Sequence, residues 1–332
     1  MEIKNNYPLQ NLNSFGIESY AIEFASVSDL NELLQLIALG REIRILGGGS
    51  NILLSADVNC LLIKNNFKSI EIIKDTDEDV YIKAGGGENW HELVLWCIDR
   101  NLAGIENLSL IPGTVGAAPI QNIGAYGVEL KDVFHELEAV NLETGQLRTF
   151  SNEECRFGYR DSIFKRELKG KYFISSVTLK LSRIANFKIA YGDLKNVLGD
   201  DTLTLRAISN AVIKIRTSKL PDPKEIGNAG SFFKNPVISI ELFRALLEKH
   251  PSLPSYPTPE ANMVKIPAGW LIEQAGWKGF RKGNIGVHEK QALVLVNYGG
   301  GKGSEIYQLA LDIKADVFEK FGVEIEPEVN VW

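Results

Sequence analysis

The segment IPGTVGAAPIQNIGAYG, from Ile111 to Gly127, is the most informative stretch of this 332-residue chain. It is rich in glycine, alanine and proline and contains no charged side chain. A second glycine-rich segment, Gly47-Gly-Gly-Ser-Asn51, follows the apolar run from Ile43 to Leu46. Because glycine has no Cβ, its backbone N–H can approach a bound ligand closely. Two such loops in one half of the chain suggest a backbone that wraps a large anionic ligand, and a dinucleotide with a pyrophosphate would fit.

Composition narrows the class of protein. The chain is 45% hydrophobic and 23% charged, which is enough apolar material for two or three domains with real cores. A net charge of −6 and a pI of about 5.5 argue against general nucleic-acid binding, so local basic residues must bind any phosphate. No run approaches the ~18 apolar residues of a membrane span, and the segment from Met1 to Tyr7 lacks a signal-peptide pattern. We expect a cytoplasmic protein that does not insert into a membrane.

The cysteines and histidines do not predict a metal centre. Cys60, Cys97 and Cys155 are scattered and too few for a cysteine-rich metal site or a disulfide framework. We expect them to be buried, reduced thiols. The four histidines show no His-x-x-x-His spacing, so a zinc site is not expected.

Hydrophobic periodicity predicts an α+β chain of three parts, residues 1–70, 71–219 and 220–332, with Pro221-Asp-Pro223 at the second boundary. The predicted strands are Tyr20–Phe24, Ile43–Leu46, Cys60–Lys64, Ser69–Lys74, Val80–Ala84, Val133–Asn141, Leu147–Phe150, Tyr172–Leu181, Ala292–Asn297 and Val323–Trp332. The predicted helices are Ser28–Leu39, Asn89–Arg100, Thr202–Arg216, Glu241–His250, Ala268–Ala275 and Ser304–Phe321. Ser28 and Ser304 are the expected N-caps, and a capping box at Ser151 predicts one more short helix.

Two common nucleotide-binding motifs do not match the glycine loops. A Rossmann fingerprint needs Gly-x-Gly-x-x-Gly between a strand and a helix, whereas Gly47–Gly49 lacks the third glycine and leads into the apolar run from Ile52 to Leu54. The segment from Leu293 to Ser304 has a strand followed by three consecutive glycines and Lys302. A Walker A motif needs Ser or Thr directly after the lysine, and here a glycine follows it. We interpret this segment as a strand-to-helix turn.

Six segments of the chain, in a fixed order, resemble one family of enzymes. They are Gly47–Asn51, Ile111–Gly116, Gln121–Leu130, Cys155–Phe164, Lys219–Pro236 and Glu326–Val329. The family is UDP-N-acetylenolpyruvoylglucosamine reductase, and the resemblance extends from about Asn11 to Val329. It implies a fold with an FAD-binding domain of the vanillyl-alcohol-oxidase (PCMH) type, in two α+β subdomains, and a C-terminal α+β substrate-binding domain. A tyrosine near an insertion at 182–200, Tyr191, resembles the longer type of the family, in which a tyrosine loop closes over the substrate.

The resemblance also implies a reaction. The family uses non-covalent FAD and NADPH to reduce UDP-N-acetylglucosamine enolpyruvate to UDP-N-acetylmuramate, a peptidoglycan precursor, with hydride passing from flavin N5 to the enolpyruvyl CH₂. It implies a monomeric oxidoreductase that serves cell-wall biogenesis, cell shape and cell division. Two alternatives stay open: a protein that binds flavin or the UDP-sugar without turnover, and a flavin oxidase of the same fold. No histidine lies in a motif for covalent flavin attachment, which weakens the second.

Three residues match the family's catalytic positions. Arg160 would hold the substrate carboxylate in bidentate fashion, Ser231 would give a proton to the carbon next to the CH₂, and Glu328 would hydrogen-bond to the intermediate or orient Arg160. Each has an ordinary alternative: a salt bridge of Arg160 with Asp161, a turn or cap serine, and an exposed strand glutamate.

The resemblance assigns binding residues as well. Tyr191, Lys219 and Asn235 would grip the UDP pyrophosphate, and Tyr159 and Gln291 would line the sugar or enolpyruvyl site. Arg216 would place positive charge near the N1 and C2=O edge of the flavin, although an arginine at a helix end also favours the macrodipole without any ligand. The other expected FAD-binding residues are Gly47, Gly48, Gly49, Ser50, Asn51, Pro112, Gly113, Gly116, Ile120, Gly124 and Tyr126. The family carries arginine two residues after the catalytic glutamate, and here that residue is Asn330.

Overall fold

Eighteen strands and eight helices are described in the computed structural model, which covers residues 2–199 and 202–332. The strands are β1 (Lys4–Pro8), β2 (Tyr20–Val27), β3 (Ile43–Leu46), β4 (Ile52–Leu53), β5 (Val58–Asn65), β6 (Ile70–Asp75), β7 (Asp79–Gly85), β8 (Gly124–Ala125), β9 (Val128–Glu129), β10 (Phe134–Asn141), β11 (Leu147–Ser151), β12 (Tyr172–Ser182), β13 (Val237–Ser239), β14 (Met263–Lys265), β15 (Arg281–Lys282), β16 (Ile285–Val287), β17 (Leu295–Asn297) and β18 (Asn330–Val331). The helices are α1 (Leu30–Ile37), α2 (Trp90–Ile98), α3 (Asn152–Cys155), α4 (Leu194–Leu198), α5 (Leu205–Lys219), α6 (Ile240–Lys249), α7 (Ala268–Gln274) and α8 (Gly303–Phe321).

Two of the predicted helix caps are wrong. The N-cap of α1 is Asp29, whose carboxylate accepts from the Glu32 N–H, while the Ser28 N–H donates to the Glu32 carboxylate. Aspartate is as good a cap as serine, so the helix begins one residue later. At α8 the Lys302 N–H donates to the Glu305 carboxylate, and Ser304 lies inside the first turn.

The bounds of two predicted elements also need correction. The helix predicted from Thr202 begins at Leu205, because the hydroxyl of Thr204 accepts from the Ala207 N–H and caps the first turn. The closing strand predicted from Val323 consists of Asn330 and Val331 alone. The capping box at Ser151 and the hairpin of β10 and β11 are confirmed.

The chain divides into two compact units. The first unit contains Met1–Tyr7, Tyr20–Gly49 and Val58–Ser218, and the second contains Pro8–Ser19, Ser50–Asp57 and Lys219–Trp332. The further division of the flavin-binding part at about residue 70 stays a prediction.

Two sheets form the frame of the first unit. In the sheet of order β1-β2-β5-β3, strands β2, β5 and β3 are parallel, and α1 buries Leu33 and Leu36 in the core beside it. The sheet of order β11-β10-β12-β7-β6 is antiparallel. Helix α2 buries Trp90, Leu93 and Val94 in the large core of this sheet. These cores therefore leave the loops between the strands as the place for a ligand.

The second unit joins chain segments that are distant in sequence. Strand β18 pairs in parallel with β4, and a sheet of order β15-β16-β17 packs against α8. Gly303 lets the start of α8 lie against the segment that follows β4, because a Cβ there would lie 1.8 Å from the Leu54 carbonyl oxygen. The side chain of Asn297 accepts from the N–H groups of Gly299 and Gly301. This contact supports our interpretation of the glycine-lysine segment as a strand-to-helix turn.

The three cysteines are buried and form no disulfide, as predicted. Burial raises the pKa of Cys97 and of Cys155 to about 12, so both are thiols at neutral pH. None of the helices in the described part of the chain combines the length and the apolarity needed to cross a membrane.

Candidate active site

Residues 111–127, which we call the flavin loop because they are predicted to bind FAD, lie directly against the other glycine loop at residues 47 and 48. A Cβ at Gly48 would lie 2.8 Å from the Cα of Gly113, and a Cβ at Gly47 would lie 2.8 Å from the hydroxyl of Thr114. At Gly116, a Cβ would lie 2.9 Å from the Gly86 carbonyl oxygen. Real Cβ atoms do not approach other atoms so closely, so Gly48 and Gly116 permit contact between backbones, and Gly47 permits contact with a side chain.

The N-terminus of α2 holds the loop from Leu108 to Val115. The Trp90 N–H donates to the Gly113 carbonyl (3.1 Å), and the indole N–H of Trp90 donates to the Leu108 carbonyl (3.0 Å). The Leu110 N–H donates to Nδ1 of His91 (3.0 Å), and Leu110 has a left-handed φ of 58°. A leucine in this region is strained, so the histidine supports a conformation that the loop would not adopt alone.

Helix α5 contributes a buried cation beside this loop. The buried hydroxyls of Ser209 and Ser109 share a hydrogen bond of 2.8 Å, which ties the helix to the loop. Two turns further along α5, Arg216 is partly buried, and burial, with the charge of Arg160 nearby, lowers the pKa of Arg216. Within the described residues, the buried Nε of Arg216 and the buried hydroxyl of Thr114 have no hydrogen-bond partner. Such groups are rare unless a ligand or water satisfies them.

A tight turn carries the predicted catalytic arginine. Gly158 and Asp161 exchange backbone hydrogen bonds, and Arg160 lies between them with a left-handed φ of 53°. The Arg160 Nη2 donates to the Gly124 carbonyl (2.7 Å), and a Cβ at Gly124 would lie 3.2 Å from Nη1. Asp161 pairs with Arg166.

Two buried polar residues attach this turn to the flavin loop. The side chain of Asn122 donates to the Gly158 carbonyl (2.9 Å), and the hydroxyl of Ser162 donates to the Ile120 carbonyl (2.7 Å). Asn122 has a left-handed φ of 43°, which asparagine tolerates better than most residues. The structure thus brings the predicted residues Ile120, Gly124 and Arg160 together.

The segment of Tyr191 lies beside the same loop. We call residues 184–192 the tyrosine segment. Phe187 and Ile189 pack into a small apolar core with Tyr126 and with buried residues of α4 and α5. Tyr191 itself is half-exposed, and a Cβ at Gly127 would lie 3.4 Å from the Tyr191 Cβ. The base of the segment is therefore anchored, and Tyr191 near its tip is half-exposed.

In the second unit, the backbone segments that carry Ser231 and Glu328 lie side by side. The Glu328 N–H donates to the carbonyl of Phe232, which directly follows Ser231 (2.7 Å). Phe233 forms an antiparallel bridge with Pro327. Both predicted residues are partly exposed, and buried Phe232 and Phe233 fix the backbone on which Ser231 stands.

Asn330 links the segment of Glu328 to Asn51. Its backbone N–H and its side-chain amide both donate to the Asn51 carbonyl at 3.1 Å, and the Asn51 amide donates to the Glu328 carbonyl at 3.5 Å. An asparagine at this position thus serves as a structural link between β18 and the end of the first glycine loop.

Other predicted substrate residues of the second unit are tied to the backbone. The Asn235 Oδ1 accepts from the N–H of Ala268, the first residue of α7 (3.0 Å), which leaves its NH₂ group as the donor for a ligand. The Gln291 Oε1 accepts from the Leu293 N–H (3.4 Å), and the Leu293 carbonyl accepts from Phe232. Lys219 ends α5, and Tyr159 is partly exposed in the Arg160 turn.

Several functional candidates were missed at the sequence level. Thr114 lies against Gly47, and Asn122 and Ser162 join the loop of residues 111–127 to the Arg160 turn. His91 accepts from the Leu110 N–H, directly before that loop. An asparagine between glycines is a signal for a left-handed turn, so Asn122 was the one that the sequence could have indicated. The partners of the others come from distant segments.

The residues of the first unit fit a dinucleotide such as FAD. The paired glycine backbones form a cradle that any side chain would fill, and the Thr114 hydroxyl and the Arg216 guanidinium supply buried donors beside it. In the described ranges, no group of three or more His, Cys, Asp or Glu side chains is arranged to hold a metal ion.

Comparisons with known proteins agree with this geometry. The family described as "FAD binding domain" matches residues 19–151, and "UDP-N-acetylenolpyruvoylglucosamine reductase, C-terminal domain" matches residues 222–332. The chain is similar to the UDP-N-acetylenolpyruvoylglucosamine reductases of Flavobacterium johnsoniae, with 51% identity over 100% of both chains, and of Amoebophilus asiaticus, with 49% identity over 100% of this chain and 99% of that one. In fold it resembles the crystal structure of the reductase (MurB) from Thermus caldophilus, with a TM-score of 0.69, 23% identity and coverage of 100% and 98%.

Proposed function

The chain belongs to the UDP-N-acetylenolpyruvoylglucosamine reductase family, and from this premise we propose how its residues carry out the reaction. It is an FAD-dependent oxidoreductase that reduces UDP-N-acetylglucosamine enolpyruvate in peptidoglycan precursor synthesis. The observation that carries this function is the full-length identity of 51%, which includes both family domains. The proposal adds the hydride donor NADPH, the product UDP-N-acetylmuramate and the roles of individual residues.

The first unit holds the cofactor. When bound, FAD accepts a hydride from NADPH and supplies it to the enolpyruvyl CH₂. The backbone of the Gly47–Gly49 loop and of Pro112, Gly113 and Gly116 would face the pyrophosphate, where N–H groups bind anions without steric hindrance. Arg216 would donate to the negative edge of the reduced cofactor, and its unpartnered Nε supports this role.

Arg160 holds the carboxylate of the substrate. Hydride addition to the CH₂ carbon places negative charge on the adjacent carbon and on the carboxylate. A guanidinium can bind both carboxylate oxygens, whereas an ammonium group cannot. The contact with the Gly124 carbonyl fixes the guanidinium beside the flavin loop before the substrate binds, and such preorganisation favours the transition state.

Ser231 donates the proton to the carbon next to the CH₂. A serine hydroxyl is a weak acid, so the transient alkoxide needs a nearby donor or cation. Glu328, in the segment that is hydrogen-bonded to Phe232, would hydrogen-bond to the intermediate or orient Arg160.

The remaining residues bind the sugar nucleotide. Tyr191, Lys219 and the NH₂ group of Asn235 would grip the pyrophosphate, and Tyr159 and Gln291 would line the sugar or enolpyruvyl site. Ser50, Asn51, Ile120, Gly124 and Tyr126 complete the proposed cofactor site. We place the monomeric enzyme in the cytoplasm, where NADPH and UDP-sugars are available.

Steady-state oxidation of NADPH, followed at its absorbance band, tests the function. We expect oxidation that depends on the enolpyruvyl UDP-sugar and a product that has gained two hydrogens by mass spectrometry. Sugar-independent consumption of oxygen with an alcohol substrate would instead identify a flavin oxidase. Tight binding of the sugar with no oxidation of NADPH would identify a binding protein without turnover.

A further inference from the structure

Asn107 joins the flavin loop to the tyrosine segment through one side chain. Its amide Nδ2 donates to the Tyr126 carbonyl at 2.9 Å and to the Lys188 carbonyl at 2.7 Å. The residue is 1% exposed and follows directly on buried Glu106, whose carboxylate accepts from the Gly104 N–H. Both amide hydrogens of Asn107 are therefore used, one for each segment.

The two carbonyls fix the orientation of the amide. Only the NH₂ group can face two backbone oxygens, because an oxygen in that place would be repelled. The Oδ1 of Asn107 is buried and has no hydrogen-bond partner within residues 2–199 and 202–332. A buried acceptor without a partner costs free energy. The two donated hydrogen bonds outweigh this cost and hold the side chain in this orientation.

One carbonyl belongs to Tyr126, a predicted FAD contact, and the other to Lys188, in the same segment as the predicted substrate contact Tyr191. Lys188 lies between Phe187 and Ile189, which are packed in the small apolar core, and three residues before Tyr191. Tyr126 packs in the same core and has a left-handed φ of 49°. A change in the position of the Tyr126 carbonyl therefore reaches the base of the tyrosine segment through the Asn107 amide, in addition to the core that Tyr126 shares with Phe187 and Ile189.

We infer that Asn107 is a positioning residue that couples the order of the flavin loop to the position of Tyr191. This inference rests on the proposed function, in which Tyr126 faces FAD and Tyr191 binds the UDP-sugar. When FAD orders residues 123–127, the Tyr126 carbonyl is fixed, and Asn107 holds the Lys188 carbonyl in place. The tyrosine segment is then ready for the sugar nucleotide only when the cofactor is bound.

Asn107→Leu and Asn107→Ser test the inference, since leucine removes both donors at similar size and serine keeps one small donor. Asn152→Leu is a matched control, because the Asn152 amide also bridges two carbonyls, those of Lys131 and Phe134, away from the tyrosine segment. The first readout is hydrogen–deuterium exchange of peptides that span residues 184–192, with and without FAD. The second is the separate measurement of KM for the enolpyruvyl UDP-sugar and of kcat.

We expect FAD to slow exchange at residues 184–192 in the wild type and in Asn152→Leu, and not in Asn107→Leu. We also expect Asn107→Leu to raise KM about tenfold and Asn107→Ser less, with kcat changed less than about threefold, as for the loss of the hydrogen bond that positions the Lys188 carbonyl. Retention of the FAD effect and of KM in Asn107→Leu would overturn the inference. If Asn107→Leu does not fold, the wild type alone tests the inference. Exchange at residues 184–192 that FAD does not slow would then overturn the inference. A wild type that shows the FAD effect but reduces no sugar refutes the proposed function and leaves the coupling intact.

Discussion

Single side chains in each of the two units are positioned by backbone groups of other segments of the chain. The Arg160 guanidinium contacts the Gly124 carbonyl, His91 accepts from Leu110, and the segment of Glu328 is bonded to the residue after Ser231. A contact with a backbone carbonyl or N–H is independent of the partner's side chain, so the pattern of side chains along the sequence does not reveal it.

The proton donor is tested by Ser231→Ala. We expect flavin reduction by NADPH to remain nearly unchanged and reoxidation by the enolpyruvyl sugar to slow by roughly 10²–10⁴-fold, the usual effect of losing a general acid. Stopped-flow absorbance measures the two half-reactions separately. Ser304→Ala, at an exposed position in the first turn of α8, is the control. Equal slowing of both half-reactions would exclude Ser231 as the proton donor.

His91 predicts that FAD affinity depends on pH. Its Nδ1 accepts from Leu110, so the neutral ring carries its proton on Nε2, and a protonated ring cannot accept. Burial, with the charge of Arg216 adding to it and Glu92 opposing it, lowers the pKa of His91 below 6.5. The contact is thus fully present above pH 6.5 and is lost as the pH falls through the lowered folded-state pKa.

Titration of apoprotein with FAD between pH 5 and 8 measures this effect. We expect the dissociation constant to rise as the pH falls through the lowered pKa of His91 in the wild type, and to be high at every pH in His91→Phe, which has no acceptor. His135→Phe, on the exposed side of β10, is the control. A dissociation constant of His91→Phe that equals that of the wild type at pH 8 would contradict the role.

At this scale, the sequence indicated the catalytic residues only through the family resemblance. Arg160, Ser231 and Glu328 stand in motifs, and their roles stay predictions. Asn107 and His91 stand in no sequence motif. Their roles depend on backbone groups of other segments, which come within hydrogen-bond distance only after folding.

Among the elements, two glycine loops and the start of α2 form the proposed cofactor site. The Trp90 N–H, which is unsatisfied within its own helix, donates to the Gly113 carbonyl. Gly113 in turn lies against Gly48. The helix end therefore fixes one loop, and that loop fixes the other.

Gly48→Ala and Gly47→Ala distinguish two kinds of close contact between these loops. The added methyl at position 48 meets backbone (Gly113 Cα, 2.8 Å), whereas at position 47 it meets the side-chain hydroxyl of Thr114 (2.8 Å). We expect overpacking at Gly48 to cost about 1–3 kcal/mol, or roughly 5- to 150-fold in FAD affinity, and Gly47→Ala to cost less because a side chain can rotate. Isothermal titration with FAD measures both. Equal affinity of Gly48→Ala and the wild type would show that the loops do not close on the cofactor.

Periodicity predicted most elements of both units, because alternation and amphipathicity reflect burial that is local to each strand or helix. Its errors lie at ends. At α1, Asp29 and Ser28 are both good caps, and only the φ of −147° and the bond to Glu32 distinguish them. The short β18 is held by pairing with β4, about 280 residues earlier, so no local signal fixes its length.

For the whole molecule, the net charge of −6 contrasts with the cationic groups of the proposed site. Arg160 and Arg216 are partly buried in the first unit and close enough that the charge of Arg160 contributes to the lowered pKa of Arg216. Two like charges in one partly buried region destabilise the apoprotein, and an anionic cofactor would relieve that repulsion.

Thermal unfolding tests this effect. At 100 times its dissociation constant, FAD is expected to stabilise the protein by about 2.7 kcal/mol, which raises Tm by several degrees in differential scanning calorimetry. Riboflavin, which lacks the pyrophosphate, is the control and is expected to shift Tm less. Equal shifts with both ligands would show that the glycine cradle does not bind the pyrophosphate.

The most direct test of the central claim is the visible absorption spectrum of the purified protein under argon. The account predicts a flavin spectrum that bleaches on addition of NADPH and recovers when the enolpyruvyl UDP-sugar is added. A colourless protein that also takes up no added FAD would contradict the account, as would a bleached flavin that the sugar does not reoxidise.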